Sequence, residues 1–204
     1  MTKAPSNSQS TDNAERSRRT KLWLDAGFYK RHTDALRGNL AWPRDDLYML
    51  GLEVLGDGGL VCILGKRGTG KTQMAASMAL ALALHKGLRP SYQRLSDYFA
   101  AVKRSFDTSE RDPRRMAAMV PVLVLDECQE RYESQFEDLE LTRLIDTRYG
   151  EKRATVLIAN LKPEELAASM GASVSSRIQE CGAVIECNWP SYREARMSSG
   201  KGAA

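Results

Sequence analysis

The chain is predicted to fold as a three-layer α/β/α domain around a five-stranded parallel sheet. Three observations carry that prediction. The apolar runs Leu60–Leu64, Val120–Leu125 and Ala154–Ala159 are nearly continuous rather than alternating, which is the pattern of strands buried on both faces. Segments of helical length separate these runs, so each strand must return by a crossover and lie parallel to the last. Finally, Gly65, Gly68 and Gly70 crowd the junction between the first run and an Ala/Leu/Met-rich segment, the composition of a tight strand-to-helix turn.

Taken in order, the first strand covers 60–65. The run Thr72–Lys86 is apolar nearly all round, which predicts a buried helix, and Gly87 is placed to end it as a left-handed cap. A second strand is expected at Ser91–Leu95 and a helix from Ser96 to about Phe106, with Pro113 near the start of another short helix. Val120–Leu125 is the most apolar stretch and reads as a central parallel strand. Ser134-Gln135-Phe136-Glu137 has the spacing of a capping box, opening a helix that ends at Gly150. Ala154–Ala159 is the fourth strand, Pro163 opens the next helix, a further helix spans 172–180, and Ala183–Cys187 is the fifth strand.

The length of 204 residues suits one globular domain with a tail. No apolar run approaches the roughly 20 residues of a membrane span, and no apolar signal segment leads the chain, so a cytoplasmic location without membrane contact is expected. Cys62, Cys128, Cys181 and Cys187 lack C-x-x-C spacing, and two fall in strand-like runs, so buried free thiols are expected. His32 and His85 have no partners at ligand spacing, which argues against a protein-built metal cage. The net charge of +4 permits nucleic-acid contact without requiring it.

The glycine junction carries the chemistry. Gly65-Lys66-Arg67-Gly68-Thr69-Gly70-Lys71-Thr72 spells a complete phosphate-binding loop between a strand and a helix. Its glycines let backbone N–H groups converge on β- and γ-phosphates, Lys71 adds a positive charge, and the Thr72 hydroxyl can ligate Mg²⁺. ATP and Mg²⁺ are therefore the expected ligands. The strand Val122–Leu125 ends in Asp126-Glu127: Asp126 suits a magnesium site, and Glu127 a base that polarises the attacking water. Asn160, after the fourth strand, either begins a turn before Pro163 or presents its amide to the γ-phosphate. Arg177 is either a solvated surface residue or an arginine that completes a neighbouring subunit's site.

This constellation resembles the Walker A, Walker B, sensor 1 and arginine-finger set of a P-loop NTPase of the AAA+ type. More narrowly it is similar to the DnaC/IstB group of helicase loaders and insertion-sequence ATPase helpers. Ala26-Gly27-Phe28-Tyr29-Lys30-Arg31-His32 resembles the short element ahead of that group's ATPase domain. Thr147-Arg148-Tyr149-Gly150 resembles its "RY" helix, and Asn188-Trp189-Pro190-Ser191-Tyr192-Arg193 its terminal W-x-S-Y-R signature. The resemblance implies an ATPase whose site is shared between subunits of a homo-oligomer on single-stranded DNA. Its partner would be a replicative helicase, or a transposase in the alternative reading. The expected layout is a disordered tail at 1–20, a helical extension at 21–55, the ATPase domain at 56–195 and a flexible end at 196–204.

The chain departs from the group in three ways. Ala159 stands where Ser or Thr usually precedes the sensor Asn, the stretch before the first strand is short, and too little follows Cys187 for a full helical lid. Arg193 is then a candidate nucleotide or interface contact. Lys103, Arg104, Arg111, Arg114 and Arg115, with Tyr98, Phe99 and Phe106 nearby, form either a solvated amphipathic face or a track for single-stranded DNA. A small-molecule phosphotransferase is disfavoured by Glu127 and by the short C-terminal stretch.

Overall fold

The computed structural model describes residues 17–30, 32, 42–106, 112–132 and 134–194. Residues 1–16 of the expected tail at 1–20, residue 195 and the expected end at 196–204 lie outside the described residues, as do Arg31 and Arg111. Residues 17–25 are helical, so the N-terminal helix begins ahead of the expected boundary at 21.

Five parallel strands form one sheet: β1 (Leu60–Gly65), β2 (Pro90–Arg94), β3 (Val122–Asp126), β4 (Ala154–Ala159) and β5 (Gly182–Cys187). Their order is β2-β3-β4-β1-β5. β4 holds the middle position, and β3, paired with both β2 and β4, is an interior parallel strand as expected. Every residue of β4 is buried, as expected of a strand covered on both faces.

Helices cover the two faces of the sheet. On one lie α1 (Asp45–Gly56), α2 (Lys71–Lys86) and the chain around Trp23–Phe28, packed on Val61, Ile63, Val124, Val156 and Ile158. On the other lie α3 (Leu95–Arg104), α4 (Pro113–Met119), α5 (Gln135–Gly150), α6 (Leu166–Met170) and α7 (Ala172–Cys181). These pack on Leu60, Cys62, Leu64, Leu123, Leu125 and Leu157. Alternation along each strand splits the core into these two layers. Pro163–Glu165 forms a 3₁₀ turn ahead of α6. Cys62, Cys128 and Cys187 are buried thiols, Cys181 is partly buried, and all four are free.

Local chemistry explains the boundaries. Gly70 and Gly87 flank α2 in the left-handed conformation. Ser134 accepts from Glu137 N at the start of α5, but the Glu137 carboxylate reaches Tyr132 N instead of closing the box on Ser134. Arg148 is fully buried and donates to Thr155 Oγ1 and to the carbonyls of Ala117, Ala118, Val120 and Ala154 at 2.6–3.2 Å. It ties the chain leading into β3 to the start of β4. Among the described residues no helical layer follows β5; residues 188–194 fold back over the glycine loop instead.

Candidate functional site

The site lies at the C-terminal ends of β1, β3 and β4, where an open α/β sheet reverses its strand order and leaves a crevice. β1 delivers the glycine loop and α2 begins directly after it. Gly65, Gly68 and Gly70 have φ values of 133°, 86° and 88°, so the loop needs glycine at all three positions. The buried Lys71 side chain curls over the loop and donates to the carbonyls of Gly65 and Lys66, both at 2.7 Å. Burial pulls its ammonium pKa below the ordinary value. Lys66 and Arg67 are exposed at the loop tip, and Thr69 is buried with its hydroxyl donating to Lys66 O.

Thr72, at the start of α2, donates its hydroxyl to Asp126 Oδ2 at 2.8 Å, although β4 lies between β1, which leads into that helix, and β3, which carries Asp126. Asp126 also accepts from Tyr92 Oη (2.9 Å) and, through Oδ1, from Glu127 N (2.7 Å). A hydroxyl and a carboxylate side by side are the hard-oxygen donors that magnesium takes, with phosphates and waters completing its shell. Among the described residues no cluster of three or more His, Cys, Asp or Glu could form an all-protein cage, and a phosphate-completed site needs none.

Glu127 follows with φ at 55°, a left-handed conformation that costs a non-glycine residue on the order of 1–2 kcal/mol. The turn is held by Cys128 N donating to Ile158 O and Glu130 N donating to Glu127 O. Burial, then the neighbouring Glu130 and Asp126 charges, raise the Glu127 pKa above the ordinary carboxylate value, while Arg94, 3.9 Å away, opposes them. That direction suits a residue that takes up a proton. Asn160 directly follows β4, the strand between β1 and β3, and its backbone N–H donates to Gln129 Oε1.

Arg177 stands apart from these groups. It lies on α7, in the helical layer across the sheet from α2. Its Nε pairs with Asp146 at 2.6 Å, its Nη1 donates to Ser173, and the guanidinium lies 5.4 Å from the Tyr149 ring centre. It therefore makes no contact with the phosphate loop of its own chain.

Three features of the site escaped the sequence. Trp189 Nε1 donates to Thr69 O, Tyr192 N donates to Gly68 O, and the Tyr192 ring approaches Gly70, so the terminal signature roofs the loop. Arg193 is exposed beside this roof. Tyr92 binds Asp126. Arg67 pairs with Glu130, joining the loop tip to the turn after β3.

The nucleic-acid candidates are corrected in part. Tyr98 and Phe99 are buried in the core and cannot stack on bases. The spacing of Leu95, Tyr98, Phe99 and Val102 on α3 was the available signal for an inward-facing stripe. Arg114 is committed to Glu140 in a two-pronged pair, and Lys103 faces Glu137. Arg104 and Arg115 are exposed, and Phe106 is exposed between Phe136 and Arg114.

Comparison with known proteins gives consistent results. A family model described as IstB-like ATP binding protein matches residues 49–199. The replicative helicase loader DnaC of Escherichia coli strain K12 is 32% identical over 133 residues, covering 63% of this chain and 54% of that protein. The uncharacterized protein YdaV of the same strain is 29% identical over 132 residues, 63% of this chain and 53% of that one. This chain thus spans about half the length of the curated relatives it matches. Among solved structures, a DnaC helicase loader superposes with a TM-score of 0.67 at 22% identity, over 78% of this chain and 99% of that one. AMPPCP-bound DnaA from Aquifex aeolicus gives 0.62 at 22% identity, over 80% and 52%. At such identities these structures speak to the fold alone, a layered α/β architecture around a parallel sheet.

Proposed function

Since the chain belongs to the IstB-like ATP-binding protein family, we propose that it is an AAA+ ATPase that assembles on DNA and loads or recruits a replicative helicase. The observation that carries the ATPase part is the meeting of Lys71, Thr72, Asp126 and Glu127 at one crevice. Backbone N–H groups of the glycine loop receive the β- and γ-phosphates, and Lys71 turns from its carbonyl partners to their charge. Thr72 and Asp126 are the residues for magnesium, which supplies positive charge against the phosphate oxygens when bound. Glu127, with its raised pKa, accepts the proton of the attacking water, and Asn160 at the end of β4 orients that water.

Arg177 acts in trans, on a nucleotide held by the next subunit, a role supported by its place in the helical layer across the sheet from α2. The loading role is supported by the identity to the E. coli loader. Contact with single-stranded DNA falls to the exposed Arg104 and Arg115. Mixing the protein with its host's replicative helicase and ATP gives a stable complex on gel filtration; no co-elution under any nucleotide condition refutes the loading role. The second reading is a transposition helper that recruits a transposase to DNA, the alternative that goes with the IstB resemblance the matching family model shares. Complex formation with a transposase rather than the helicase decides for it.

A further inference from the structure

One strand touches both acidic residues of the site. β2 is the edge strand beside β3, and its register sets Tyr92 opposite Val124 and Arg94 opposite Asp126. Tyr92 Oη donates to Asp126 Oδ2, and Arg94 lies 3.9 Å from Glu127. Tyr92 and Asp126 are both buried, at 8% and 6% exposure.

The outer side of Tyr92 belongs to chain far upstream. Tyr92 N donates to Ala26 O at 2.6 Å. The Tyr92 ring packs on Phe28 at 4.7 Å between centres and meets Tyr29 edge-on at 6.0 Å, and Phe28 in turn packs on Trp23. Gly27 has φ at 90°, and a Cβ there would stand 2.7 Å from Tyr92 O. Only glycine allows this approach. The whole element lies ahead of residue 49, where the family match begins.

We propose that Tyr92 is a positioning residue for Asp126, set from its far side by the Ala26–Tyr29 element, so that the seating of that element governs the magnesium-dependent part of nucleotide binding. The inference rests on the nucleotide-site reading above. Its physical basis is a shared acceptor. Asp126 Oδ2 accepts from two side-chain hydroxyls, Thr72 and Tyr92. Thr72 is the one a metal would recruit, which leaves Tyr92 as the remaining hydroxyl holding that oxygen in place. A ligand that binds the N-terminal helix and lifts Phe28 would withdraw Tyr92 and loosen Asp126.

The test is calorimetric titration of the full chain with a non-hydrolysable ATP analogue, in excess magnesium and in EDTA. Tyr92→Phe keeps the ring stack and removes only the hydroxyl. Its affinity in EDTA stays within about twofold of wild type, while the gain on adding magnesium falls on the order of tenfold, the scale of one hydrogen bond to a charged group. Gly27→Val, which cannot make the close approach, and Phe28→Leu, which loses the stack at similar volume, reduce the same gain with Tyr92 intact. Their losses do not add to that of Tyr92→Phe, because both act through one hydroxyl. A full magnesium gain in Tyr92→Phe overturns the positioning role. A reduced gain there with a normal one in folded Gly27→Val or Phe28→Leu overturns the link to the N-terminal element. Failure of the wild type to bind the analogue at all overturns the nucleotide site itself instead.

Discussion

Arg148→Met removes a guanidinium with no carboxylate beside it, while keeping an apolar stem of similar length. Five acceptors lose their donor: Thr155 Oγ1 and the carbonyls of Ala117, Ala118, Val120 and Ala154. Thr155 Oγ1 keeps its bond to Arg153 O, so four carbonyls are left short. Each buried, unpaired carbonyl costs about 1–3 kcal/mol. Two of the four sit in bonds that are only partly buried and can recover water. Relief of the buried charge offsets a further part: burial brings the Arg148 pKa down to about 9, still protonated at neutral pH. The net loss is then about 1–4 kcal/mol, within the range for breaking a buried hydrogen-bond network. Against a total stability of roughly 5–15 kcal/mol, that is a sizeable share. With a urea slope of about 2 kcal/mol per molar, the unfolding midpoint falls by about 1 M. Arg148→Lys recovers less than half, because a point charge cannot span the fork of acceptors. A midpoint drop under about 0.5 M for Arg148→Met would refute the argument that this residue clamps the chain entering β3 to β4.

Glu127→Gln should bind ATP as wild type does but hydrolyse it roughly 100-fold or more slowly, measured by phosphate release; near-normal turnover removes Glu127 from the catalytic role. Because hydrolysis needs Glu127 ionised and its pKa is raised, activity is lost as pH falls through that raised value. Glu130→Gln removes one of the charges that raise it, so the acidic limb of the kcat profile moves to lower pH; a limb that stays put or rises contradicts this account. Arg177→Ala should leave ATP binding by the monomer intact yet abolish the rise of specific activity with protein concentration. Wild-type concentration dependence would count against an arginine supplied in trans.

The sequence made the strands legible because burial on both faces leaves continuous apolar runs, and β4 begins and ends where the run Ala154–Ala159 does. The glycine loop was legible for a similar reason: its geometry is written into residue type at Gly65, Gly68 and Gly70. Strand order was not. That β4 lies between β1 and β3 depends on crossovers whose length leaves several orders open, and it determines that Thr72 meets Asp126 across an intervening strand. Tyr92 carries no local signal either, since its meaning comes from Asp126, 34 residues later, and from Ala26, upstream. Arg148 misleads composition-based reasoning, because a charge without a nearby carboxylate reads as a surface residue until its carbonyl partners are seen.

The fold-back of residues 188–194 over the loop makes the chain its own optical instrument. Trp189 is hydrogen-bonded to the backbone of Thr69, and the Trp42 ring stacks on Tyr48 while its edge approaches Gly70. Trp23, the third tryptophan, sits against Phe28 at the far end of the aromatic stack. Two indoles thus report on the phosphate loop and one on the N-terminal element. Single-tryptophan versions of the chain would let emission spectra follow the two regions separately, with no attached dye.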